Sequence, residues 1–286
     1  MPIRHMVVPA AGNGDDLCDK PGMLPNELLA VGRRPALSLL SREIIAGGFA
    51  ATILVTSSDR KMLEDYIDVP GTDTELEAGS EAGRVGQGAG PEHRFFYVRQ
   101  HGCPGVVQAI LETSYLVGHE PFGVAMGDTV IWSGADRGGL LRRMVAAFEA
   151  CQPIMVAAVG PVQDDASPRE QVLTRANEAD GHADITDILI GPTGVNSSVA
   201  RVTVGRYVMA PAALPYLSAL ASDNSPTVSL ADVMRAMAAD GQRVMAVGTL
   251  DTERAYDLSS PEGYARAFSE LSERDVNGIG ASEGLN

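Results

Sequence analysis

Short apolar runs alternate with longer amphipathic stretches along most of the chain. Short apolar runs are typical of buried strands, and the amphipathic stretches have the spacing of surface helices. This alternation predicts an α/β fold, with a mixed, mostly parallel sheet and helices on both faces. The predicted elements are, in chain order, MVVPA, PALSLLSREIIAGG, ATILVTS, RKMLEDYI, FFYVRQ, VVQAILETSYLV, PFGVAMGD, LLRRMVAAFEA and PIMVAAVG.

The later part of the chain continues the pattern with less regular spacing. Two strands, ADITDILIG and ARVTVGRYVMA, are predicted to form a small β extension. Helices near 211–221 and 229–239 follow, then a strand RVMAVG and a last helix, SPEGYARAFSELSER, opened by Ser-Pro. We therefore predict a single domain over 1–275, with a mobile excursion at 69–93 and a frayed tail at 276–286, because both segments are polar and glycine-rich.

Ligands in sheets of this kind bind at the carboxyl ends of the strands. The loops after residues 9, 55, 99 and 126 each follow a predicted strand. We expect these four loops to converge on one cleft.

Composition limits the ligands that the protein can bind. The net charge of −15 and the pI near 4.7 exclude a nucleic-acid groove, which would need lysine and arginine. Small phosphates remain possible ligands where a divalent metal supplies positive charge.

The chain has no apolar run near the roughly 18 residues of a membrane span, no signal-peptide pattern and three scattered cysteines. We therefore expect a cytoplasmic protein without membrane contact.

The first strand leads directly into the turn AAGNG at 10–14. Glycines there allow backbone N–H groups to approach a ligand, although a tight structural turn has the same composition. A dinucleotide fingerprint would need a further glycine where Leu17 stands, which disfavours a dinucleotide-dependent oxidoreductase. Asp15 and Asp16 follow at once, and their charge would repel a phosphate.

Two aspartates are candidate metal ligands. Asp128, in MGDTV, comes just after a buried strand, where carboxylates hold Mg²⁺ against phosphates, and Asp257, in YDLSSPEGY, precedes the last helix. A solvated loop position for Asp128 and a helix cap for Asp257 are the alternatives, although Ser259 or Ser260 would cap better. Periodicity does not show whether the two carboxylates meet.

The order of landmarks along residues 5–270 resembles that of a known family. These landmarks are VVPAAGNG, PNELLAV, RRPALSLLSREIIAGG, ILVTSSDRKMLEDYID, FFYVRQ, GVVQA, the GD at 127–128, VGRYVM, SLADVM and YDLSSPEGY. The chain resembles sugar-1-phosphate nucleotidyltransferases, and in particular bacterial UTP:glucose-1-phosphate uridylyltransferases. The resemblance implies a nucleotide-diphospho-sugar transferase-like, Rossmann-type fold. It also implies a Mg²⁺-dependent reaction in which UTP and a sugar-1-phosphate give a UDP-sugar and pyrophosphate.

The resemblance also implies roles for individual residues. Ala11, Gly12 and Gly14 would meet the nucleotide through the backbone, Gln100 would read the uracil edge, and Gly105 would let the base approach. Asp128 and Asp257 would be the two metal carboxylates. The implied partners are UTP with a sugar-1-phosphate, or a nucleotide sugar.

Several phosphate-binding cations of the family pattern are replaced. Asp16 stands where the family has arginine, and Asn26 and Gly22 stand where it has lysine. The family's EKP motif is IGP at 190–192, and Thr227 replaces a sugar-binding carboxylate. Arg34 does keep the charge of a family lysine. We assign no catalytic residue with certainty.

These replacements leave two hypotheses. The first is a uridylyltransferase-type enzyme with weak or altered activity. The second is a catalytically silent paralogue that acts as a binding or regulatory subunit. The first predicts a homo-oligomer, and the second a hetero-oligomer with an active paralogue.

Overall fold

A nine-stranded mixed sheet forms the centre of the fold. The computed structural model describes residues 3–12, 24–68, 93–101, 105–161, 170–174, 181–190, 200–221 and 228–282. The strands lie in the spatial order Arg94–Arg99 (β5), Ala51–Thr56 (β4), His5–Pro9 (β1), Phe122–Ala125 (β6), Ala200–Met209 (β11), Met155–Pro161 (β8), Val244–Gly248 (β12), His182–Ile190 (β10) and Glu170–Thr174 (β9).

Only β10 and β11 run against the other strands of this sheet. The sheet is therefore mixed and mostly parallel, which confirms the predicted fold class. The described helices are Ala36–Ala46 (α1), Lys61–Asp68 (α2), Val106–Glu112 (α3), Ser114–Val117 (α4), Gly139–Cys151 (α5), Leu214–Ala221 (α6), Leu230–Ala239 (α7) and Pro261–Ser282 (α8), with 3-10 helices at Asn26–Leu28 and Pro211–Ala213.

Side chains of β1 show why helices cover both faces of the sheet. Val7 packs in one apolar core with residues of α3, α6 and α7. Its neighbours Met6 and Val8 pack in a second core with residues of α1, α2 and α5. Successive side chains of a strand point to opposite faces, so a continuous apolar run requires cover on both.

The β extension is built from β9, the outer part of β10 and the start of β11. The predicted strands β10 and β11 do not pair with each other. Instead β9 pairs with both of them, while β11 also joins β6 and β8 inside the main sheet. The sequence pattern missed β9 because it lies within a polar, irregular stretch.

A third apolar core lies beside the main sheet and includes a small ribbon. Thr129–Trp132 (β7) pairs antiparallel with Arg254–Asp257 (β13). Val130 and Tyr256 from this ribbon, and Leu258 just after it, pack against Ala267 and Leu271 of α8. A further short hairpin joins Ala30–Val31 (β2) to Arg34–Pro35 (β3). Neither small sheet was predicted, because strands this short carry no readable period.

The last helix runs further than its composition predicted. It reaches Ser282, well into the segment predicted to fray, and residues 276–282 contain no proline that would stop it. Of the predicted excursion at 69–93, all but His93 lies outside the described residues. Within the described residues, no helix is both long and apolar enough to cross a membrane.

Candidate functional site

Four neighbouring parallel strands end at one edge of the sheet. The order β5, β4, β1 and β6 places the loops that follow them side by side. The amide of Ala10 donates to the carbonyl of Val55 at 2.8 Å, and the amide of Gln100 donates to the carbonyl of Thr56 at 2.8 Å. The four strand ends are therefore neighbours, as predicted, whereas a single cleft shared by all four loops stays a prediction.

Four of the five residues expected to meet a nucleotide lie along this edge. Ala11 is buried after β1, while Gly12 is exposed. Beyond β5, the side-chain amide of Gln100 donates to the carbonyl of Gly105 at 3.2 Å, which joins the strand end to the start of α3. Gly14 and Asp16 lie outside the described residues.

A buried arginine that sequence reasoning did not single out lies beside the first loop. Arg60 donates from Nη2 to the carbonyl of Gly12 and from Nη1 to Oε2 of Glu27 at 3.3 Å. Both charged side chains are more than nine-tenths buried. Its place in the loop after β4, at the carboxyl edge of the sheet, is the sequence feature that could have indicated Arg60 as a site residue.

Glu27 also packs against the loop that carries Asp128. A Cβ added to Gly127 would lie only 2.8 Å from Cγ of Glu27, so a larger residue would push the loop away. Asn26, the residue in place of the family lysine, is itself buried in the same 3-10 helix as Glu27. The Arg60–Glu27 pair therefore contacts both the loop after β1 and the loop after β6.

The β7–β13 ribbon brings the two candidate metal ligands together. Asp257 lies opposite Thr129 in the strand register, and the amide of Leu258 donates to the carbonyl of Asp128 at 2.8 Å. Both aspartates line one cleft of about 290 Å³. Tertiary pairing thus places side by side two carboxylates that are far apart in the sequence.

Asp257 is held by the turn that follows it. Its Oδ1 accepts hydrogen bonds from the amide of Ser259 at 2.9 Å and from the hydroxyl of Ser259 at 2.6 Å. The start of α8 is capped instead by Ser260, whose hydroxyl accepts from the amide of Gly263 at 3.0 Å. Asp257 is therefore oriented toward the cleft without being the helix cap.

The electrostatics of the pair favour a cation between them. Burial, and then the negative charge of Asp257, raise the pKa of Asp128 to about 6, against weaker lowering effects from the Thr129 hydroxyl and Arg206. Two carboxylates that repel each other in a partly buried cleft gain from a bound positive ion.

The donor set fits Mg²⁺ better than zinc. Mg²⁺ is commonly held by one or two carboxylates together with substrate phosphates. In the described part of the chain, no group of three or more His, Cys, Asp or Glu residues is placed to hold a metal. Asp128 and Asp257 therefore fit a metal that a bound phosphate shares, and do not form a closed protein cage.

Hydroxyl groups supply most of the remaining polar lining of the cleft. They belong to Thr129, Thr203, Tyr207, Ser229 and Ser259, and none of the described lining residues is a lysine or an arginine. Ser229 also caps α7 through a reciprocal box with Asp232, so the amino end of α7 opens at the cleft. The replaced positions Gly22, Thr227 and 191–192 lie outside the described residues.

Comparisons with known proteins agree with the resemblance seen in the sequence. The UTP–glucose-1-phosphate uridylyltransferase of Haemophilus ducreyi is 28% identical over 283 residues, covering 94% of this chain and 93% of the relative. The protein of the same name from Pseudomonas aeruginosa is 24% identical over 273 residues, with 93% and 94% covered. No protein-family model matches the chain.

Solved structures of UDP-glucose pyrophosphorylases also resemble this chain. A UTP-bound UGPase from Acinetobacter baumannii superposes with a TM-score of 0.76 at 26% identity, covering 97% of this chain and 99% of that one. The predicted resemblance and the predicted nucleotidyltransferase-like fold are therefore confirmed along nearly the whole chain.

Proposed function

We propose that this protein is a nucleotidyltransferase of the UTP:glucose-1-phosphate uridylyltransferase type. The single observation that carries the proposal is the pairing of β7 with β13, which sets Asp128 beside Asp257 in one cleft. This cleft opens near the strand ends where a nucleotide binds in folds of this class. The full-length similarity to uridylyltransferases supports UTP and glucose-1-phosphate as the substrates.

The reaction needs positioned phosphates more than reactive side chains. A phosphate oxygen of the sugar-1-phosphate attacks the α-phosphorus of UTP, and the bond from that phosphorus to the bridging oxygen of the β-phosphate breaks. Pyrophosphate leaves with the electron pair. Mg²⁺ held by Asp128 and Asp257 would neutralise phosphate charge, and these residues have no proton to transfer in the step.

The chain's own residues would bind and orient the nucleotide. Ala11 and Gly12 would offer backbone groups after β1, as would Gly14 by its place in the sequence. The Gln100 amide would read the uracil edge, while Gly105 would leave space for the ring. Arg60 would fix the direction of the Gly12 carbonyl, since it donates to that atom. Glucose-1-phosphate is the first sugar substrate to test.

We infer that turnover is slow compared with a fully equipped enzyme. Asp16 and Asn26 occupy positions where the family pattern has cations, and the described lining offers no lysine or arginine. Removing one group that stabilises charge in a transition state typically costs about 10²–10³ in rate. The metal would then neutralise most of the phosphate charge.

UTP is a cytoplasmic metabolite, so we place the protein in the cytoplasm. We also propose that it forms a homo-oligomer.

Pyrophosphate release tests the proposal. The purified protein is incubated with UTP, glucose-1-phosphate and Mg²⁺, and pyrophosphate is followed with a coupled assay. We expect release that depends on both substrates and on Mg²⁺, at a rate below the common enzyme range of about 1–10³ s⁻¹. Replacing UTP with ATP, CTP or dTTP, and glucose-1-phosphate with other sugar-1-phosphates, then measures specificity. Asp257→Asn is the matched inactive control.

The alternative of a silent binding or regulatory subunit has its own signature. UTP would bind in calorimetry, no pyrophosphate would form with any sugar-1-phosphate, and the protein would associate with an active nucleotidyltransferase. Absence of both UTP binding and turnover would refute the proposed function.

A further inference from the structure

Arg206 is a fully buried cation in the middle of the main sheet, with 0% of its side chain exposed. It lies on β11 within an irregular part of the strand, because the register with β8 shifts between Thr203 and Tyr207. Gly205 permits this shift with a φ of +74°, a value that larger residues rarely adopt. Such bulges re-aim the neighbouring side chain.

The guanidinium joins a helix to the loop that carries Asp128. It forms a two-pronged pair with Glu43 of α1, with Nε to Oε1 at 3.0 Å and Nη2 to Oε2 at 2.8 Å. Further donors reach the carbonyl of Met126 at 3.2 Å and the carbonyl of Thr129 at 2.9 Å. These two carbonyls lie on either side of Gly127 and Asp128, so one side chain holds both ends of the loop.

The energetics indicate a role other than fold stability. A buried ion pair is costly to desolvate, and apolar residues of similar volume often stabilise a protein as well or better. What an apolar pair does not supply is a set of N–H donors for the loop carbonyls. A planar guanidinium has five such donors in a fixed arrangement, and Glu43 fixes its orientation.

We propose that Arg206 is a positioning residue, which holds the 126–129 backbone so that the Asp128 carboxylate stays beside Asp257. Its effect on metal binding rests on the proposed function, whereas its effect on the loop does not. Without its donors, the Met126 and Thr129 carbonyls lose their buried partner, and the loop gains by opening toward water. Partners that orient metal-binding groups typically contribute about 10–100-fold in metal affinity.

The test replaces the whole ion pair so that no buried charge is left alone. Glu43→Leu with Arg206→Met keeps the volume and removes the donors. The matched control is Arg143→Met with Glu253→Leu, a similar two-pronged pair with distances of 2.7 and 3.0 Å. The control pair lies outside the described lining of the cleft.

Two measurements are made on both double variants. Hydrogen exchange of the peptide covering 122–132 is followed in the metal-free protein, and Mn²⁺ affinity is measured by electron paramagnetic resonance. For the Arg206 variant we expect exchange in this peptide at least about tenfold faster, and Mn²⁺ affinity about 10–100-fold weaker, with the melting curve still cooperative. The control variant should match the wild type in both.

Unchanged loop exchange in the folded Arg206 variant would overturn the proposal. If the wild-type protein does not bind Mn²⁺, this result would instead count against the metal site of the proposed function. The exchange data would still decide the role of Arg206. Arg206→Lys provides a second variant if the double variant does not fold. It keeps the charge opposite Glu43 but lacks the planar fork, so wild-type exchange and Mn²⁺ affinity in this variant would also overturn the proposal.

Discussion

Replacing Asp128 with asparagine should stabilise the metal-free protein at neutral pH. Burial and the charge of Asp257 raise the pKa of Asp128 from 3.8 to about 6. Ionised Asp128 is therefore less favourable in the folded state than in the unfolded chain. The substitution removes this cost and keeps nearly the same shape, so the gain should begin above the unfolded pKa of 3.8 and be complete above about 6.

The magnitude follows from the difference between the two pKa values. At about 1.36 kcal/mol for each pH unit, the folded protein loses at most about 3 kcal/mol. Below the unfolded pKa both states are protonated and nothing is lost. As the pH rises, the loss grows until it is complete above the folded pKa near 6. Asp128 is partly exposed, so screening by water reduces the expected gain of the variant to about 1–3 kcal/mol.

Thermal unfolding in EDTA measures the effect. Each kcal/mol corresponds to about 2–4 °C for a protein somewhat smaller than this chain, so Asp128→Asn should melt several degrees higher than the wild type at pH 8. At pH 4 the two should nearly coincide. Asp251→Asn, at an exposed turn position, is the control and should behave as the wild type at both pH values. Equal melting temperatures at pH 8 would refute the raised pKa of Asp128, and with it the cost of ionising this carboxyl in the folded protein.

Three further predictions concern the binding of the metal and the nucleotide. Mg²⁺ should raise the wild-type melting temperature more at pH 8 than at pH 5, because Asp128 must lose its proton to bind the metal; equal shifts would contradict this. Gly127→Ala should weaken Mn²⁺ binding and lower stability by about 1–3 kcal/mol, because its methyl group meets Glu27, whereas Gly248→Ala has open space and should change neither. Asn26→Lys should tighten UTP binding in calorimetry, and Asn26→Met, of similar length without charge, should not; a gain in both would show that charge is not the cause.

The helical and strand elements of the main sheet were largely readable from the sequence. An uninterrupted apolar run such as that around Val7 must be covered on both faces, and the amphipathic stretches between such runs have only one buried face. Local periodicity thus determined the α/β class and the edge where the loops converge. The acidic composition and the lost cations were also properties of the sequence alone.

The site itself depended on contacts between distant parts of the chain. Asp128 meets Asp257 because two four-residue strands pair, and strands so short carry no pattern. Arg206 bonds to Glu43 across a separation of 163 positions, and nothing near either residue in the sequence indicates the pair. Arg60 likewise reaches Gly12 only because β4 lies beside β1. The sequence by itself determined which segments are strands and helices, since that depends on neighbours a few residues apart. Tertiary structure decided which charges meet, since burial and strand pairing are set by the whole fold.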